Sequence, residues 1–142
     1  MEPLDRILLV DDDAVTNMMR TRVIKRSGRA RTIEVATDGQ EALEIIERDL
    51  AAGVALPELI FLDINMPRMG GFEFLERYGA LDIATNGQLI IVMLSTSLLL
   101  ADHARADADP NVHSFCEKPM RIERLMELID EYQRLRRDRD AA

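Results

Sequence analysis

Leu59-Ile60-Phe61-Leu62-Asp63-Ile64-Asn65-Met66-Pro67 is an apolar run, a carboxylate and then a turn. A short continuous apolar run between turn signals fits a strand buried on both faces, as in a parallel sheet. A carboxylate at the carboxyl end of such a strand stands where open α/β sheets carry their chemistry. The same arrangement recurs on either side. Ile7-Leu8-Leu9-Val10 ends at Asp11-Asp12, Ile90-Ile91-Val92-Met93-Leu94 ends at Ser95, and the run from Val112 closes at Lys118-Pro119. Four apolar runs, each ending on a charged or reactive group, point to one shared pocket.

Helical patterns fill the intervals. Ala14 to about Arg26 carries Val15, Met18, Met19 and Val23 at helical spacing and ends at Ser27-Gly28. Thr32 to Ala36 alternates like a short strand. Thr37-Asp38-Gly39 opens a helix from Gln40 to about Leu50, and Gly53 and Pro57 punctuate before the strand Glu58 to Leu62. Gly70-Gly71 precedes a short helix from Phe72 to Tyr78. A polar connection with Asn86-Gly87 leads to the strand Leu89 to Leu94. Leu98 to Ala108 reads as helix, Asp109-Pro110-Asn111 as a turn, Val112 to Cys116 as the fifth strand, and Arg121 to about Arg137 as the last helix. Five alternations of strand and helix predict an α/β fold, a parallel sheet covered on both faces.

Length and composition bound the class. A chain of 142 residues is one domain by size, and 47% hydrophobic with 31% charged residues is ordinary for a globular protein. No apolar stretch is long enough to span a membrane, and no secretory signal is visible, so no membrane association is expected. Cys116 is the single cysteine, which excludes an internal disulfide and fits a reducing cytoplasm. A net charge of −8 argues against binding nucleic acid through the domain body.

Three carboxylates in one pocket repel each other, so a cation is expected among them. An all-oxygen site with few protein ligands suits Mg²⁺, which keeps several waters and commonly also holds a phosphate oxygen. A lysine from another strand end would neutralise phosphoryl charge, and a serine hydroxyl would donate to a phosphoryl oxygen. Metal, lysine and hydroxyl around a strand-end aspartate describe an aspartyl-phosphate site.

With Val10-Asp11-Asp12, Leu62-Asp63-Ile64-Asn65-Met66-Pro67, Leu94-Ser95-Thr96-Ser97 and Glu117-Lys118-Pro119 in this order, the chain resembles the receiver domains of two-component response regulators over essentially its whole length. The resemblance implies a flavodoxin-like, doubly wound five-stranded parallel sheet of order 2-1-3-4-5 with five helices, over residues 5–138. It makes Asp63 the acceptor of a phosphoryl group from a histidine kinase or a small donor. It assigns Mg²⁺ to Asp12 and Asp63 directly, to Asp11 through water and to the backbone carbonyl of Asn65. Ser95 and Lys118 match the phosphoryl-binding hydroxyl and lysine, and a cis bond before Pro119 would aim the lysine inward. Ser95 and Phe115 match the switch pair, the hydroxyl moving toward the phosphoryl group and the aromatic turning in behind it. Gly70 stands where many relatives are polar, and Gly79 to Gln88 is longer than in the shortest members.

Taken singly, each feature has a plainer explanation. Asp11 and Asp12 could complement a helix N-terminus, a task that falls to Asp13; Asp63 could form a turn; Lys118 could be a solvated surface lysine. His103 and His113 lack ligand spacing and read as surface or packing residues, Cys116 as a small buried hydrophobe, and Met18, Met19, Met93 and Met126 as core filler. Leu98-Leu99-Leu100 fan across about 200° of a helix, so one leucine is expected to be exposed or to meet a partner. The last helix has one stripe of Ile122, Leu125, Met126 and Ile129, expected to face the sheet. A second stripe of Leu128, Tyr132 and Leu135 could pair with a copy of itself, giving a homodimer through the last two helices. Arg134, Arg136, Arg137 and Arg139 alternate with acids and read as a solvated helix end.

The resemblance leads to the expectation of a stand-alone receiver domain with no output domain, signalling to a downstream protein target or passing its phosphoryl group to a phosphotransfer protein in a relay. The pattern resembles single-domain regulators that accompany sensor kinases, photoreceptor kinases among them. A haloacid-dehalogenase-like phosphatase is the enzymatic rival. It needs a second acid two residues after the nucleophile, where this chain has Asn65, which cannot exchange protons near neutral pH. A phosphoaspartate at Asp63 is therefore expected to persist long enough to signal, with Asn65 and Ser97 bordering the approach of water.

Overall fold

The computed structural model describes residues 3–81, 90–95, 100–118 and 120–141. Its elements in chain order are β1 (Leu4–Val10), α1 (Ala14–Ser27), β2 (Ala30–Ala36), α2 (Gly39–Ala52), β3 (Leu59–Asp63), α3 (Gly71–Gly79), β4 (Ile90–Ser95), α4 (Leu100–Ala108), β5 (Val112–Glu117) and α5 (Ile122–Ala141). All four strand pairings are parallel and the order is β2-β1-β3-β4-β5, as expected. Direction reverses between β1 and β3, so the crevice beyond their carboxyl ends is the position such sheets use for ligands.

Alternation along the strands sorts the core into two layers. Leu8 and Val10 of β1, with Ile60 and Leu62 of β3, pack with Ala42, Ile46, Phe74 and Ala106 of α2, α3 and α4. Ile7, Leu9, Leu59 and Phe61 point the other way, against Ile24 of α1 and Leu125, Leu128, Ile129 and Tyr132 of α5. Every residue of β3 is buried, which is why its sequence is an unbroken apolar run.

Two helix faces differ from the sequence reading. In α1 the buried residues are Asn17, Arg20 and Ile24, while Val15, Met18 and Met19 are more than half exposed, so Met18 and Met19 are not core filler. The cause is a polar contact: Asn17 Nδ2 donates to the Asp11 carbonyl at 2.8 Å and fixes the rotation of the helix. In α5 the two stripes merge. Leu125, Leu128, Ile129 and Tyr132 face the sheet together, whereas Ile122 and Leu135 are exposed. Leu128 and Tyr132 are thus not available for pairing with a second copy. Met93 is buried as expected, whereas Met126 and Cys116 are only partly so. Leu98, Leu99, Pro119 and Asn86-Gly87 lie outside the described residues.

Candidate functional site

β1 and β3 end at the same level: Val10 pairs with Leu62, so Asp11 and Asp63 leave the sheet side by side. The Asp11 backbone N–H still bonds the Ala36 carbonyl at 3.1 Å, which fixes the exit of the chain. Asp13 then caps α1, accepting from Val15 N–H at 3.1 Å and from the Thr16 hydroxyl at 2.7 Å. These bonds, the Thr16 one foremost, hold the Asp13 carboxyl below the usual aspartate range. Asp13 therefore does the capping, and Asp11 and Asp12 are left to the crevice.

Carboxylate oxygens of Asp11, Asp12 and Asp63 all lie within 4.8 Å of one another, with Asp11 and Asp63 buried and Asp12 exposed. Lys118 reaches in from the end of β5. Its Nζ stands 2.6 Å from Asp11 Oδ2 and 3.1 Å from Asp63 Oδ2. It is not a solvated surface lysine. Burial drives the Asp63 pKa above the ordinary aspartate value, against the pull of Lys118 and of the Asn65 backbone N–H. Burial also acts to lower the Lys118 pKa, but its bond to Asp11 and the charge of Asp63 win, and the ammonium is held above the ordinary lysine value.

The loop after β3 is fastened on both sides. Gly71 N–H donates to the Ile64 carbonyl at 2.8 Å, and a Cβ on Gly71 would lie 2.4 Å from the Asp63 carbonyl oxygen. Only glycine allows that approach. On the other side Arg68, in the left-handed region at φ 61°, donates to Asp38 at 2.7 Å, and Gly39 N–H bonds the Met69 carbonyl at 2.8 Å. Asn65 is exposed at the mouth of the crevice.

The sequence-predicted residues Asp11, Asp12, Asp63 and Lys118 thus come together. Ser95 ends β4 opposite Glu117 of β5 in the backbone ladder, one step beyond the Asp63–Leu94 pair. Its hydroxyl, and Thr96 and Ser97, lie outside the described residues. Phe115 is half-buried, its ring centroid 4.0 Å from that of His103. Two residues at the site were missed from sequence. Asn17 bonds the Asp11 carbonyl, and Arg20 Nη1 lies 3.5 Å from Asp11 Oδ2. Their spacing to Ile24 was the available signal, a stripe of helical period out of phase with the methionines.

An all-oxygen donor set, two acids buried and one open to solvent, fits a hard divalent cation that keeps part of its water shell. A model of the response regulator receiver domain matches residues 7–130. The chain belongs to that family. A two-component response regulator from Cytophaga hutchinsonii is 30% identical and superposes with a TM-score of 0.81 over 93% of this chain and 98% of its own. The probable methanogenesis regulatory protein FilR2 of Methanothrix harundinacea is 29% identical over 125 residues, 88% of this chain and 79% of that protein. The response regulator MprA of Mycobacterium leprae is 29% identical over 137 residues, 96% of this chain. The receiver domain described here spans about half the length of that regulator (54%). Receiver domains are phospho-accepting modules of two-component signalling that bind Mg²⁺ at their acidic pocket, and this one has the acid cluster for it. No described helix is long and apolar enough to cross a membrane.

Proposed function

We propose that Asp63 accepts a phosphoryl group and that the resulting acyl phosphate changes which protein the domain binds. The observation that carries this is Lys118, whose ammonium is pinned between Asp63 and Asp11 although both acids are buried. A carboxylate oxygen of Asp63 attacks phosphorus, a P–O bond forms, and the bond to the donor's imidazole or carboxylate breaks with its electron pair leaving on the donor. Lys118 is placed to follow the charge onto the phosphoryl oxygens. In this reading the Ser95 hydroxyl donates to one of them. Mg²⁺, held by Asp12, Asp63 and the Asn65 carbonyl and through water by Asp11, would supply shielding between the acids and the incoming phosphoryl group. Asn65 offers no general acid or base for rapid hydrolysis, which favours a persistent signal over phosphatase turnover.

The switch pair in this reading is Ser95 with Phe115. Phe115 is half-buried beside His103 of α4, so its inward turn would alter the α4–β5 surface. The donor is a histidine kinase, with a photoreceptor kinase as one form of it. The receiver, over residues 5–138, acts by contact with a downstream protein or passes the group to a phosphotransfer protein.

Intact mass after incubation with acetyl phosphate and Mg²⁺ tests the chemistry. Wild type should gain one phosphoryl group, Asp63→Asn none, and chelation should abolish the gain. Equal labelling of Asp63→Asn would overturn the assignment.

A further inference from the structure

Arg20 has no part in that chemistry, yet it is built into the site. It lies on the inner face of α1, 8% exposed, with Nη1 3.5 Å from the same Asp11 oxygen that takes Lys118 at 2.6 Å. Two cations converge on one carboxylate oxygen, and the guanidinium holds the longer contact. The rest of its surroundings is largely apolar, a cleft shared with Met19, Val23, Met120 and Leu125. A buried guanidinium with so long a contact is a poor stabiliser, and an apolar side chain of similar length would pack there as well. Burial pulls the Arg20 pKa below the ordinary arginine value, opposed by Asp11 and Asp63, but arginine remains charged.

We propose that Arg20 is a fixed countercharge that weakens divalent-cation binding to the unphosphorylated site and stabilises the same site once Asp63 carries a phosphoryl group. The proposal deepens the phosphoryl-acceptor reading and rests on it. Asp11, Asp12 and Asp63 against Lys118 and Arg20 leave the empty site one net negative charge. A dication alone overshoots to net positive. Phosphorylation replaces one negative charge on Asp63 by about two, and the metal-bound site becomes neutral. Without Arg20, neutrality would instead fall on the metal-bound, unphosphorylated site. Asp13 at the rim shifts every state equally, so the direction of the difference does not depend on it. Arg20 thereby moves the site's preference from the metal alone toward the metal with the phosphoryl group.

The test compares wild type, Arg20→Met and Arg20→Lys, each first shown to be folded by a thermal melt. Two constants are measured: the Kd for Mg²⁺ alone by calorimetry, and the Kd for beryllofluoride, a phosphoryl mimic, at saturating Mg²⁺ by fluorine NMR. Arg20→Met should bind Mg²⁺ about tenfold tighter and beryllofluoride weaker by a similar factor. Arg20→Lys should stay near wild type in both. A merely structural role would weaken both together. That outcome, or either constant unchanged in Arg20→Met, overturns the countercharge role while leaving Asp63 as acceptor. If wild type binds neither probe, the acceptor reading itself falls and the Arg20 proposal falls with it.

Discussion

Asp63 is buried, ionisable and surrounded by other acids, so its charge bears on stability as well as on chemistry. Burial raises its folded pKa above the ordinary 3.8. A raised acid contributes stability that is fully present below the unfolded pKa and is lost as pH climbs through the folded one. At neutral pH the ionised carboxylate therefore works against the metal-free fold. Asp63→Asn keeps the shape and removes the charge, while Lys118 retains its 2.6 Å contact to Asp11. In chelator, this variant should melt a few degrees above wild type at pH 7. The gap should close as pH falls below the ordinary 3.8, where Asp63 becomes neutral in both states. Scanning calorimetry across that range decides it; a variant less stable than wild type at pH 7 would show that Lys118 outweighs burial.

At the scale of elements, the loop between β3 and α3 ties the site to the helix beyond it. Gly71→Ala would drive a Cβ into the Asp63 carbonyl, a backbone atom that cannot swing aside. It should cost about 2 kcal/mol and slow phosphorylation, because relief moves Asp63 itself. Gly53 offers the control. It caps α2 at φ 68° with nothing within 4 Å of a Cβ, so Gly53→Ala should cost about 1 kcal/mol of left-handed strain and leave phosphorylation unchanged. Urea melts and acetyl phosphate time courses on both variants separate the cases; equal rates in the two would remove the link between Gly71 and the acceptor. This element also marks where the sequence was legible. Strands buried on both faces announce themselves as apolar runs, and the acids at their ends could be located from Leu59-Ile60-Phe61-Leu62 and Ile7-Leu8-Leu9-Val10 alone. Helix rotation was harder to read. The phase of α1 is set by Asn17 reaching the carbonyl of Asp11, just past the end of β1, a bond that no periodicity encodes. In α5 the buried face is wider than one stripe because Leu125 and Tyr132 pack into the same layer with Phe61 and Leu9. The close approach at Gly71 depends on where a carbonyl from another element lies.

Across the whole molecule the two ends of the sheet carry opposite electrostatic designs. At the amino ends of the strands, Arg6 of β1 pairs with Glu34 of β2, reaches Asp49 of α2 at 2.8 Å and donates to the Ala55 carbonyl at 2.8 Å. Arg136 of α5 meets Glu58 at 3.1 Å just before β3. Arg48 of α2 reaches Glu34 at 3.3 Å and Asp49 at 3.1 Å, so acids and bases are matched there, and four elements are joined. At the carboxyl ends the acids outnumber their partners, leaving room for a cation. Arg6→Met would leave the buried Asp49 only Arg48, at 3.1 Å, and should lower stability by about 1–2 kcal/mol. Mg²⁺ should raise stability through the other end, by an amount that grows with the logarithm of its concentration above Kd. A strand of β1's length separates the two ends by about 20 Å. Sites that far apart should act additively, so Mg²⁺ should stabilise Arg6→Met by the same increment as wild type and label it at the same rate per folded molecule. Urea melts with and without Mg²⁺ on both proteins measure the two increments. A smaller gain in the variant would mean that the amino-end ion network helps hold the acid cluster in register, and that the two ends of the sheet form one cooperative unit.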